Sequence, residues 1–242
     1  MSGEAAPRAE DQQPALARSA TGDDQPATDP TSSGIAARRR RAVSAGHRGD
    51  RAVAGAMLSD PQAAVRVAAL GALSRAGGLG PAVLQQAMAD TDAGVRRRAC
   101  EEAGRKLAGA AGAGHGEPDR ARIVTMLIAI LDDPDTSVAE MAAWALGEAG
   151  SHGAAACDRL VSMTRSASPV CREAAVAALG AIGEPRGLEA VIDALADRPA
   201  VRRRAVLALA GFADRRARHA LHRALEDRDW QVRQAAEELL AD

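Results

Sequence analysis

Apolar positions along most of this chain recur in one short pattern. A turn holding Asp is followed by Val-Arg, then by an Ala-rich stretch that closes near Leu-Gly. It reads Asp60…Val65-Arg66…Leu73, Asp90…Val95-Arg96…Ala103-Gly104 and Asp133…Val138…Leu146-Gly147. It returns as Cys171-Arg172…Leu179-Gly180, Asp197…Val201-Arg202…Leu209 and Asp227…Val232-Arg233…Leu240. The anchors at 65, 95, 138, 171, 201 and 232 lie 30, 43, 33, 30 and 31 residues apart. Three- and four-residue steps between apolar positions mark helices. A fixed period of this length, with two short helices per unit, marks a stacked helical solenoid in which each unit buries its apolar face on its neighbours.

The pattern predicts Val-Arg helices over about 64–76, 94–107, 137–149, 170–182, 200–211 and 230–240, some six repeats in all. Their partner helices fall at about 81–89, 119–131, 153–165, 186–196 and 215–226. Asp and Ser in the turns supply N-caps, and Gly77, Gly150 and Gly183 supply helix stops. An earlier pair is expected near Ile35–Ala45 and Asp50–Leu58, with the repeat register of the first ambiguous. The long step from 95 to 138 holds a surplus at Ala108–Asp119, expected to be a surface loop or an extension of the preceding helix.

Residues 1–33 differ in kind. They are rich in Ala, Pro, Gln, Asp, Ser and Thr and lack helical periodicity. Glu4, Glu10, Asp11, Asp23, Asp24 and Asp29 stand against Arg8 and Arg18. Such a stretch has too little apolar surface to order itself, so a disordered acidic tail is expected at 1–33 and the solenoid at 34–242.

Composition narrows the core chemistry. Hydrophobic residues make up 47% but aromatics only 1%, with no Tyr and a single Phe, so Ala, Leu, Val and Ile must fill the interior. Lys106 is the lone lysine among many arginines, as a high-GC bacterial coding bias gives. A net charge of −1 supplies no whole-protein field for nucleic acid or membrane. Cys100, Cys157 and Cys171 form no C-x-x-C pair, which fits a reducing cytosol. No apolar leader and no membrane-length apolar run is seen, so a cytoplasmic location is expected.

The residues that carry the repeat, Asp-x-x-x-x-Val-Arg-x-x-Ala-Ala-x-Ala-Leu-Gly, are best preserved at Val65–Ser74, Val138–Gly150 and Cys171–Gly183. In them the chain resembles HEAT-like repeat proteins of the short bacterial type named after phycobilin lyases. The resemblance covers about 60–240. It implies a right-handed α-solenoid whose Val-Arg helices line a concave, armadillo-like groove. It also implies a ladder of Asp and Arg stacked along the turns. Neither an ankyrin nor a tetratricopeptide signature is present.

On each Val-Arg helix, Val, Ala-Ala and Leu face the core, so the residues two, three, six and ten after the anchor share the other face. These give Arg97, Arg98, Glu101 and Arg105, then Glu140, Met141, Trp144 and Glu148. Glu173, Ala174, Ala177 and Ala181 come next, then Arg203, Arg204, Leu207 and Gly211. The groove has basic flanks and an acidic, partly apolar centre. Local rules also break there: Ala139 replaces a ladder Arg, and Ser166 and Ser168 replace a ladder Asp. The expected partner-binding set is Arg97, Arg98, Glu101, Glu140, Met141, Trp144, Glu148, Glu173, Arg203 and Arg204, with Trp144 as hot spot. Trp230 is expected to staple the last helix, and Arg38–Arg41 to lie on a solvated first helix.

Enzyme chemistry finds no footing. The paired His-Glu motifs of HEAT-like di-iron hydroxylases are absent, since His47, His115, His152, His219 and His222 precede Arg, Gly, Gly, Ala and Arg. His219 and His222 lie one helical turn apart without a completing ligand, so no metal or cofactor is expected. No phosphate loop or nucleophile motif occurs. The expected function is a non-catalytic scaffold that binds a protein partner in the groove. Behind it stand an accessory or lyase-like enzyme subunit, and a nucleic-acid binder using Arg38–Arg41 and the groove arginines.

Overall fold

The computed structural model describes residues 30–109 and 117–241. Within them lie thirteen α-helices and no strand. They are α1 (Pro30–His47), α2 (Arg51–Ala56), α3 (Ala63–Arg75), α4 (Pro81–Met88), α5 (Ala93–Gly109), α6 (Glu117–Ile130) and α7 (Thr136–Gly147). The rest are α8 (Cys157–Met163), α9 (Pro169–Ile182), α10 (Leu188–Asp193), α11 (Pro199–Leu209), α12 (Arg215–Ala224) and α13 (Trp230–Ala241). The odd-numbered helices stack side by side in one layer, each against the next. The even-numbered helices form a second layer, each resting on the odd helix that follows it. The result is an all-α solenoid of six two-helix units preceded by α1.

The repeated residues explain the stacking. The anchors Val65, Val95, Val138, Val201 and Val232 are all at most 1% exposed, and Leu146, Leu179 and Leu209 are equally buried. Small residues let the odd helices approach closely: a Cβ on Gly180 would lie 2.5 Å from the Cα of Ala208 on the next helix. Gly77, Gly150 and Gly183 take φ values of 68°, 54° and 67°, the left-handed conformation that stops a helix at little cost only for glycine.

The turns carry a second register device. Asp90 accepts the backbone N–H of Asp92 at 2.9 Å and takes a bidentate guanidinium from Arg66 of the preceding unit at 2.6 and 2.8 Å. The remaining amine of Arg66 donates to the carbonyls of Asp60 and Pro61. Bidentate rungs recur as Arg96–Asp133, Arg172–Asp197 and Arg202–Asp227. Arg38 reaches Asp60 at 2.9 Å, which settles the register of α1: Arg38 is its ladder residue. Between α7 and α9 both halves of the rung are missing, because Ala139 stands opposite Ser166. Ser166 keeps only the turn-forming part, its hydroxyl accepting the N–H of Ser168 at 3.2 Å.

Two expected boundaries move. α1 begins at Pro30, ahead of the expected Gly34, because proline tolerates the first helical position, where no N–H partner exists. The rest of the expected acidic tail, 1–29, lies outside the described residues. Within the expected insert, Ala108 and Gly109 continue α5 and Glu117–Asp119 open α6, while 110–116 lie outside the description. Trp230 does not staple α13; it opens that helix and remains 62% exposed. α13 also carries an exposed Glu237 where Leu70, Cys100, Ala143, Val176 and Val206 are buried in the other units.

Candidate functional site

A groove of about 640 Å³ opens on the face of the odd helices, between α5, α7, α9 and α11. Its floor is apolar: Met141 and Trp144 from α7, with Val170, Ala174 and Ala177 from α9. Carboxylates ring it: Glu101, Glu140, Glu148 and Glu173, with Arg105 and Arg204 beside them. Trp144 leans on α5, where a Cβ on Gly104 would lie 2.5 Å from its ring; glycine there makes the seat for the indole. The ring nevertheless stays 38% exposed.

The position six residues after each anchor forms a row along this face. Once Arg38 places α1 in register, the row runs Val43, Gly71, Glu101, Trp144, Ala177, Leu207 and Glu238. Val43, Trp144 and Leu207 are exposed at 39%, 38% and 43%, so three of the five large exposed apolar side chains among the described residues share one row.

Of the sequence-derived set, the groove gathers Glu101, Glu140, Met141, Trp144, Glu148, Glu173 and Arg204. Arg97 is exposed and lies outside its lining, as does Arg203, whose amine donates to Gln231 at 3.2 Å. Arg98 turns away towards α3, into space that Gly71 leaves open. There it pairs with Glu101 at 2.8 Å and with Glu102 at 2.6 Å. Arg105 pairs with the same two carboxylates at 2.5 and 3.1 Å. The basic flank expected on α5 is therefore neutralised from within. The cause is Glu102, 1% exposed, at a position where α3, α7, α9 and α11 carry Ala72, Ala145, Ala178 and Ala208. A buried carboxylate must recruit cations, and it draws both arginines.

Sequence reasoning passed over Glu102, although a charged residue at an Ala position was a readable signal. It also passed over Val170, which precedes its anchor and reaches the groove only because the first turn of α9 sits beside Trp144. Glu173 is matched by Arg204 at 3.2 Å. Among the described residues Glu140 and Glu148 have no ion pair, so the uncompensated charge at the centre is negative.

The described lining holds carboxylates, guanidinium groups and apolar side chains, with no cysteine, serine or histidine among them. Burial pushes the Cys100 thiol up to about 12, which holds it protonated at neutral pH. Cys157 and Cys171 are buried as well. Among the described residues no group of three or more His, Cys, Asp or Glu is placed to hold a metal ion, and no helix is long and apolar enough to cross a membrane.

The family model of HEAT repeats matches residues 124–200 and 189–242. No curated protein matches the sequence. Solved structures resemble the fold. One is a computationally designed armadillo repeat protein for modular peptide recognition (20% identity, TM-score 0.55, 78% of this chain and 97% of that one). Another is a designed armadillo repeat protein in complex with the peptide (KR)4 (16% identity, TM-score 0.54, 86% of this chain and 98% of that one). A third is the complex of CpcE and CpcF of phycocyanin lyase from Nostoc sp. PCC7120 (22% identity, TM-score 0.54, 78% of this chain and 75% of that one).

Proposed function

Taking this chain as a HEAT-repeat protein, we propose that it is a non-catalytic scaffold that binds a segment of a protein partner in the groove of its odd-numbered helices. One observation carries the reading. Trp144 and Met141 lie on the floor of a groove of about 640 Å³, with carboxylates on either side. A large apolar ring left in contact with water is costly unless something covers it. Aromatic side chains in such pockets dominate binding energies. The designed armadillo proteins of similar fold, named for peptide recognition and for a peptide complex, support a peptide-like occupant here. The likeness to the phycocyanin lyase pair extends to the fold alone.

The test uses a photo-crosslinking side chain placed at Ala177 in the groove and, as control, at His219, exposed on the outer layer. In cells that express the chain natively, the groove position is expected to capture one protein that the outer position does not. Trp144→Ala should abolish that capture, weakening binding by about 2 kcal/mol or more, while leaving folding nearly intact. Leu146→Ala, on the buried side, should instead cost roughly 2–5 kcal/mol of stability. Capture from His219 alone, or capture indifferent to Trp144→Ala, refutes the groove as the binding surface.

A further inference from the structure

We infer that the groove centre receives an arginine or lysine of the partner, laid along Trp144 with its charged head between Glu140 and Glu148 and an apolar neighbour on Met141 and Ala174. The inference rests on the reading above and names the chemistry of its occupant.

The charge census supplies the argument. Glu101 is satisfied by Arg98 and Arg105, and Glu173 by Arg204. Glu140 and Glu148 alone among the groove carboxylates lack a cation among the described residues. They sit four residues before and four after Trp144, Glu140 within α7 and Glu148 at its C-cap, roughly 6 Å of helix rise to each side of the ring. A cation laid over the exposed indole has a carboxylate on either side of it along the helix. Trp is the best ring for holding a cation. The long aliphatic stem of Arg or Lys covers apolar surface while its head stays polar, which suits a floor of Met, Ala and Val under an acidic rim.

Charge also argues against residues 1–29 as the occupant. The segment 1–29 carries Glu4, Glu10, Asp11, Asp23, Asp24 and Asp29 against two arginines, the wrong sign for a negative centre. The occupant is therefore a basic and apolar segment of another protein.

The experiment selects a display library of random dodecapeptides on the immobilised full chain. The strongest peptide is then measured in solution by the fluorescence anisotropy of a dye on its terminus, a readout that survives the loss of Trp144. Selected peptides are expected to carry Arg or Lys next to Leu, Ile, Val, Met or Phe. Replacing that arginine by citrulline, equal in shape and uncharged, should weaken binding at least tenfold. The Glu140→Gln/Glu148→Gln variant should weaken the arginine peptide at least tenfold while keeping its melting temperature, and should leave the citrulline peptide unaffected. Selection of neutral or acidic peptides, equal affinity for the citrulline form, or no selection at all overturns the inference. If Trp144→Ala abolishes binding but the two Glu→Gln changes do nothing, the groove reading stands and the cationic occupant falls. If Trp144→Ala also does nothing, both fall.

Discussion

The missing rung can be rebuilt. Ala139 and Ser166 face each other across an opening of about 360 Å³ that also touches Asp133, Thr136 and Cys171. At the corresponding place one unit earlier, Arg96 binds Asp133 at 2.7 and 2.8 Å and the carbonyls of Asp90 and Thr91 at 3.0 and 3.2 Å. Its side chain is 15% exposed and that of Asp133 is 5% exposed. Hydrogen bonds to charged groups contribute about 1.5–3 kcal/mol each before the costs of assembly. Against them stand the partial desolvation of both charges and about 2 kcal/mol of arginine rotamer freedom. Much of the gross gain is cancelled, and a coupling of about 1–3 kcal/mol remains, in the range measured for contacting residues. Ala139→Arg alone brings a guanidinium to the carbonyls of Asp133 and Pro134 without the rung carboxylate opposite it; Asp132 and Asp133, which also line the opening, already hold Arg159 and Arg96. Ser166→Asp alone keeps the turn but adds a carboxylate whose neighbouring cation in the opening, Arg159, already pairs with Asp132. Each single change is expected within about 1 kcal/mol of the parent. The double variant should exceed their sum by the coupling, raising the melting temperature by roughly 2–10 °C for an array of this size. The assay is a double-mutant cycle from urea unfolding, followed by circular dichroism and tryptophan fluorescence, whose coincidence tests for a single transition. A coupling below about 0.5 kcal/mol would refute the idea that the opening is a vacant rung.

Further predictions follow from the same packing. Arg96, Arg172 and Arg202 hold Asp133, Asp197 and Asp227 below the ordinary carboxylate range, chiefly through their side-chain hydrogen bonds. A carboxyl group whose folded pKa is depressed adds stability that is complete above its unfolded value and is lost as pH falls through the folded one. The melting temperature should therefore be flat with respect to these groups above about pH 4 and fall below it. Asp133→Asn should flatten that acid limb in a thermal scan across pH, and an unchanged limb would count against the ladder as its cause. Gly180→Ala drives a Cβ to 2.5 Å from the backbone of Ala208 and should destabilise by about 1–3 kcal/mol. Gly55→Ala, with nothing within 4 Å of the new Cβ, should stabilise by about 0.4–1 kcal/mol. Urea midpoints of the two variants moving in the same direction would contradict this account of helix approach.

The sequence by itself determined the repeat. Val, Ala and Leu at helical spacing bury one face, Asp caps and turns, and glycine at positive φ stops each helix. These are local rules, satisfied within one unit, so six units and most helix bounds were legible before any coordinates. The outward row through Trp144 was legible for the same reason, since helical periodicity alone assigns a face. What the tertiary structure decided lies between units. Arg38 is one of four consecutive arginines, and only its reach to Asp60 makes it the ladder residue. Ala139 and Ser166 looked like separate departures, and only stacking shows them to be two halves of one absent rung. Arg98 reads as a groove cation until Glu102, buried against the neighbouring helix, turns it inward. That reversal leaves Glu140 and Glu148 as the unmatched charges at the centre. A side chain's face follows from its own helix; its partner follows from the register of the next one, and the strength of a charge depends on which partner it finds.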